Sequence, residues 1–179
     1  MKSIAGIVSV LIILSPFILL IRIIKKKEDN GKKSKEIFNS IVKKEGIIIT
    51  KELYMSWNKN YQYLLLDDQN EKIYYMTLDK KKLSNLNIKR INYEDLIRGE
   101  LIHNSHIESI DAGLSMRDRK IQEEHIDRQG LRLILDDVSC PMLDIMFIED
   151  GAGKAHFKSY IEEWIATIEI IIRKSNKNK

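Results

Sequence analysis

The sequence predicts an α+β protein: an N-terminal transmembrane helix, then a mainly antiparallel β-sheet or partial barrel, closed by a C-terminal amphipathic helix. Three observations predict it. No residue from Ser3 to Ile21 is charged. From Gly46 onward the apolar residues alternate with the period of strands. Between Phe157 and Ile172 they return to the period of a helix.

The opening run comes first. Nineteen residues at a rise of about 1.5 Å span about 28 Å, close to the hydrocarbon thickness of a bilayer. Pro16 is tolerable in such a span as a local kink. A cleaved signal peptide would have a shorter apolar core and a small-x-small cleavage site. Here Arg22, Lys25, Lys26 and Lys27 follow, a stop-transfer pattern, so residues 1–24 are expected to be a retained anchor with those four residues as its flank. The excess of positive charge on the C-terminal side would place the remaining chain in the cytoplasm of a single-pass plasma-membrane protein. The expected partners are the lipid bilayer, anionic lipid head groups along Lys25 to Lys35, and a protein yet to be identified.

Charge supports this division. Of the 179 residues, the first 27 hold five basic side chains and no acid. The rest balances 25 basic against 26 acidic residues, so the folded part is not a basic protein and no nucleic-acid partner is expected. The length suits one domain. A lone cysteine, Cys140, allows no internal disulfide; set before Pro141 between apolar runs, it reads as a turn or core residue.

Residues 25–36 contain no large apolar side chain and read as a basic juxtamembrane linker. The domain proper is expected at 37–174, before a basic tail at 175–179. Ile37, Phe38, Ile41 and Val42 recur at helical spacing, which predicts a short helix over about 35–45 ended by Gly46. Strands are expected at Ile47–Tyr54, Tyr61–Asp67 and Lys72–Leu78, the last two joined by a turn at Asp68–Glu71. A polar interruption at 79–87 precedes a strand at Ile88–Tyr93 and an extended run near Leu101. Residues 103–130 form a charged insertion that fits a hairpin arm, a short helix or a loop. Leu131, Leu133 and Leu135, then Leu143, Ile145 and Phe147, alternate with other residues and predict a late hairpin across Asp136–Pro141. Last, Phe157, Tyr160, Ile161, Trp164, Ile165, Ile168 and Ile172 form one stripe on a helix of about 155–174.

The segments YLLLDDQNEKIYYM, INYEDLIRGELI, LRLILDDVSCPMLDIMFI and FKSYIEEWIATIEIII together resemble uncharacterised bacterial pleckstrin-homology-like domains. The resemblance covers roughly residues 47–172 and rests on apolar strands, acidic turns and a closing helix. It implies a non-enzymatic module that docks proteins, peptides or lipids. The insertion at 103–130 departs from the simple pattern.

Chemistry is thin. His103, His106, Glu108, Glu123, Glu124 and His125 would converge if 103–130 folds as a hairpin, and imidazoles with carboxylates suit zinc. With no HExxH motif and no cysteine among them, a solvated charged face explains the same residues better. Gly151–Lys154 lacks the spacing of a phosphate loop. The pairs Asp67–Asp68 and Asp136–Asp137 stand where turns begin. Trp57 and Tyr61 beside Lys59 could stack bases but lack a surrounding basic field. No catalytic, metal or cofactor residue is therefore assigned. The expected function is a membrane-displayed binding or scaffolding domain; the alternatives are a metal-dependent hydrolase using the 103–125 cluster and a structural subunit of a membrane complex.

Overall fold

The computed structural model describes residues 2–57, 59–111, 120–148 and 157–177, and the side chains of these except 2–18, 57, 105–111, 120–125 and 177. Its first element is one helix, α1 (Lys2–Glu45). Residues 25–36, expected as a linker, are therefore helical. They contain no proline, lysine and glutamate are good helix formers, and Gly31 costs only about 1 kcal/mol. Glu28 and Lys32, one turn apart, form an exposed ion pair at 3.0 Å. The helix stops at Gly46, whose φ of 65° suits glycine. The Gly46 N–H bonds back to the Lys43 carbonyl and the Ile47 N–H to the Val42 carbonyl, which satisfies two of the last carbonyls of the helix.

Among the described residues, no helix is long and apolar enough to cross a membrane. This corrects the transmembrane helix expected at the N-terminus, and with it the single-pass plasma-membrane location. From Leu19 the described part of α1 carries five apolar residues, all exposed, and then a run of polar ones. That apolar length is far short of a bilayer core. The run from Ser3 falls largely on residues 1–18, whose side chains lie outside the described residues.

Four strands follow as a meander: β1 (Lys51–Trp57), β2 (Asn60–Asp67), β3 (Lys72–Asp79) and β4 (Leu86–Asn92), in the order β1-β2-β3-β4. A 3-10 turn at Tyr93–Asp95 leads to β5 (Leu96–Asp111), β6 (Lys120–Leu135) and β7 (Met142–Ile148), a second antiparallel sheet. The closing helix is α2 (Lys158–Lys177), which begins a few residues later than its apolar stripe predicts. The expected partial barrel is also corrected: the strands make two separate sheets, with no ladder between them among the described residues. The 3-10 turn interrupts the meander at one corner. At the other, β1 and β7 approach as the free edges of their sheets.

The charged insertion is a hairpin. β5 and β6 pair as far as Asp111 with Lys120, whereas β7 pairs with β6 only from Gln129 to Ile134, so the distal part is two-stranded. The register of β6 on β7 shifts between Gln129 and Gly130. Gly130 is required there, because a Cβ would lie 2.7 Å from the Ile145 carbonyl oxygen.

Two apolar clusters hold these layers together. Leu64 and Leu66 of β2 join Leu131, Leu133, Ile145, Ile161, Trp164 and Ile168 in the core between the sheets and beneath α2. Tyr61, Tyr63 and Leu65, on the opposite face of β2, pack with Phe38 of α1 and Ile47. β2 is thus buried on both faces, and its sheet lies between α1 on one side and the second sheet with α2 on the other.

Candidate functional site

A groove of about 490 Å³ follows the free edge of β1, lined by Leu53, Tyr54, Met55, Ser56, Phe147, Phe157 and Tyr160. Successive residues of a strand point to opposite faces. Four consecutive lining residues therefore mean that the groove tracks the backbone edge rather than one face of the sheet. An antiparallel edge strand presents unpaired N–H and C=O groups along such an edge.

Each wall has a local origin. Leu53 and Met55 belong to the inner face of β1 and anchor it in the core. Phe147 ends the apolar face of β7 and is buried, in ring contact with Phe157 at 5.8 Å and Tyr160 at 6.3 Å. Phe157 and Tyr160 stand at the start of α2, each more than a third exposed. Phe157 is held by its backbone N–H, which donates to the Gln129 side-chain oxygen at 2.9 Å. The amide nitrogen of buried Gln129 lies 3.3 Å from His103 Nδ1.

The far end of the groove is tied shut. Lys51, at the start of β1, donates to Glu163 at 2.7 Å and Thr167 at 2.9 Å, and its ammonium lies over the Trp164 ring. Lys51 thus clamps β1 to the middle of α2, while Met55 and Ser56 face the opening of the helix. Beneath the groove, the Tyr54 hydroxyl lies 2.7 Å from Ser34 of α1. Burial raises the Tyr54 pKa, against a lowering by the Ser34 bond. The groove wall is therefore neutral, apolar and aromatic, with backbone polar groups along one side.

The residues singled out in the sequence are scattered. Among the described residues no group of three or more His, Cys, Asp or Glu could hold a metal ion. Backbone pairing sets His106 opposite His125 and Glu108 opposite Glu123. The side chains of these four and of Glu124 lie outside the described residues, as do Gly151–Lys154 and the Trp57 side chain. Asp67, Asp68 and Asp137 serve turns and loops: Asp67 accepts from Asn70 and from the Ile48 N–H, Asp68 from the Tyr93 hydroxyl, and Asp137 from Ser139. Cys140 is half-buried in the β6–β7 turn. Tyr61 is buried under Lys80 and offers no free ring face to a base.

Sequence reasoning missed the groove. Tyr160 and Phe157 read as part of the core stripe of α2, and nothing local marks β1 as an edge strand. The spacing does hold one signal: both aromatics precede the first fully buried residue, Ile161, and extend the stripe beyond what the sheet covers. Compared with known proteins, the chain matches no family model, no curated protein and no solved structure.

Proposed function

We propose that this chain is a non-enzymatic binding module of pleckstrin-homology-like architecture that docks an extended peptide segment of a protein partner along β1. The β6–β7 hairpin running on to a closing helix, one of the features on which the resemblance rests, supports that reading. The observation that carries the docking reading is the groove itself, an apolar and aromatic trough running beside a free strand edge. Backbone groups spaced along a strand are best matched by another extended chain, which adds to the edge while alternate side chains enter apolar pockets. Phe157, Tyr160 and Met55 would receive those side chains. The floor offers hydrophobic burial of about 25 cal/mol per Å², and the backbone edge supplies direction and register.

The test is a display screen of random ten-residue peptides against the full chain, followed by titration of the selected peptides. Enriched peptides should alternate apolar with other residues, and their binding should shift the amide resonances of 53–56. Phe157→Glu and Tyr160→Glu, both at exposed positions, should each weaken binding about tenfold or more. Peptides that bind both variants as tightly as the parent chain would overturn the proposal.

A further inference from the structure

Gln129 joins the peptide groove to the β5–β6 hairpin, and its two hydrogen bonds together fix the position of a proton. The residue has no exposed surface, and both ends of its amide are engaged. A backbone N–H can only donate. The Phe157 N–H therefore meets the Gln129 oxygen, at 2.9 Å, and the Gln129 amide nitrogen is left 3.3 Å from His103 Nδ1. That nitrogen also only donates, so Nδ1 must accept. The imidazole is thus neutral, with its proton on Nε2. His103 stands opposite Gln129 in the β5–β6 register and is half-buried.

The residue held at the other end of the amide opens α2. The Phe157 carbonyl accepts the first bond of that helix, from the Ile161 N–H at 2.9 Å, which makes Phe157 its N-cap. The Phe157 ring rests on Phe147, and Tyr160 follows in the first turn. One buried amide therefore positions both aromatic walls of the groove. A second proton on His103 turns Nδ1 into a donor, and two donors then face each other. Turning the Gln129 amide over satisfies His103 but sets its nitrogen against the Phe157 N–H. No orientation of Gln129 serves both neighbours of an imidazolium. The partial positive charge at the start of α2 opposes the imidazolium further. The charged groups on the elements around His103 are Glu100 on β5, Asp127 and Arg128 on β6, and Lys158 and Glu162 on α2; β7 sets Ile148 beside Gln129. Glu100 pairs with Arg98, and Lys158 with Glu162. These charges set where on the pH scale a change falls; its direction is set by the donors and acceptors at Gln129.

We propose that His103 and Gln129 form a proton-controlled latch on the peptide groove. With His103 neutral, Gln129 holds Phe157 and the groove wall is set. With His103 protonated, the Phe157 N–H loses its acceptor, the first turn of α2 loosens, and peptide affinity falls. The buried stripe from Ile161 onward stays in place. The effect on affinity rests on the docking reading, whereas the link from His103 to Phe157 does not. An imidazole ordinarily changes charge between about pH 5 and 8, so peptide is held on the alkaline side of that range and released on the acid side. By reciprocity, bound peptide makes His103 harder to protonate by the same factor.

The free full chain is titrated from about pH 8 to about pH 5 by NMR. The His103 ring should show the Nε2–H tautomer at the alkaline end. The Phe157 amide should shift, and lose exchange protection, with the midpoint of the His103 ring. This response should vanish in His103→Asn, whose side-chain oxygen still accepts from Gln129. It should persist in His156→Gln, which removes the histidine adjacent in the chain. Selected peptides free of Asp, Glu and His are then titrated at both ends of the range. The parent chain should bind them about tenfold more weakly at the acid end, and the His103→Asn chain within about twofold of its alkaline affinity. Gln129→Glu should abolish or reverse the dependence, because a carboxylate accepts from both Phe157 and an imidazolium. An Nδ1–H tautomer, a Phe157 amide that still titrates in His103→Asn, or equal peptide affinity of the parent chain at both ends would overturn the proposal. A screen that yields no peptide counts against the docking reading alone, and the free-chain titration then decides whether the latch exists.

Discussion

Asp67 ends β2 with no exposed surface. Burial pushes its carboxyl pKa up, but hydrogen bonds from the Asn70 side chain and from the backbone of Ile48, Asn70 and Gln69 outweigh that and hold it below the usual carboxylate range. The side chain thus closes the β2–β3 turn and pins Ile48, in the short link between α1 and β1. Asp67→Ala would leave the Ile48 and Asn70 N–H groups without this acceptor and should cost about 2–4 kcal/mol in urea unfolding; a loss under about 0.5 kcal/mol would show that other acceptors take over. Gly130 depends on space rather than charge. Gly130→Ala forces β6 away from the Ile145 carbonyl and should destabilise by about 1–3 kcal/mol, with unchanged stability in the same assay counting against the tight approach. The two residues differ in how readable they are. An aspartate where an apolar strand meets Gln-Asn announces a turn, whereas the need for glycine at 130 arises from a register shift against a strand fifteen residues away.

At the scale of elements, α1 illustrates how a local pattern can be right about a face and wrong about an extent. Ile37, Phe38, Ile41 and Val42 mark the packed face correctly, and Gly46 marks the end. The start is not at residue 35, because a polar stretch of good helix formers continues a helix already begun. Phe38 is the principal side chain joining this helix to the sheet, in ring contact with Tyr54 and Tyr63. Phe38→Ala should cost about 3–5 kcal/mol, with hydrogen exchange accelerating in β2 as well as in α1; acceleration confined to the helix would mean that the sheet does not depend on this contact. The β6–β7 hairpin was plain from alternation alone. Arg132 and Asp144, on the polar positions of that pattern, prove to be cross-strand partners with two bonds of 2.7 and 2.8 Å.

The whole molecule should be stable over a bounded pH range. Asp67 and Asp144 have lowered pKa values, Asp144 chiefly through its bonds to Arg132. A group whose pKa is lower when folded stabilises the fold above its unfolded value of about 4, and that contribution is lost as pH falls through the folded value. Tyr75 behaves in the opposite sense: burial raises its pKa to about 12, so the folded state keeps the phenol neutral. Tyr63 and Tyr93 are raised as well, by burial and by hydrogen bonds to Glu52 and Asp68. Their contribution is complete below about pH 10 and lost as pH rises beyond it. Urea midpoints should therefore form a plateau that falls below about pH 4 and again above about pH 10. A midpoint that stays level from pH 9 to 11 would contradict the alkaline limb.

The strands, their turns and the packed stripe of α2 were legible in the sequence, because periods of two and 3.6 residues are imposed by local geometry and need no knowledge of neighbours. Which strand became an edge, that the strands divide into two sheets, and that Lys35 and Lys80 lie over a stacked pair of tyrosines were decided only by tertiary packing. These facts join residues far apart in the chain, and no local pattern encodes a distance of that kind. The apolar start of the chain is the counterpart: its hydropathy is a purely local property, and it does not establish the role of the helix it begins.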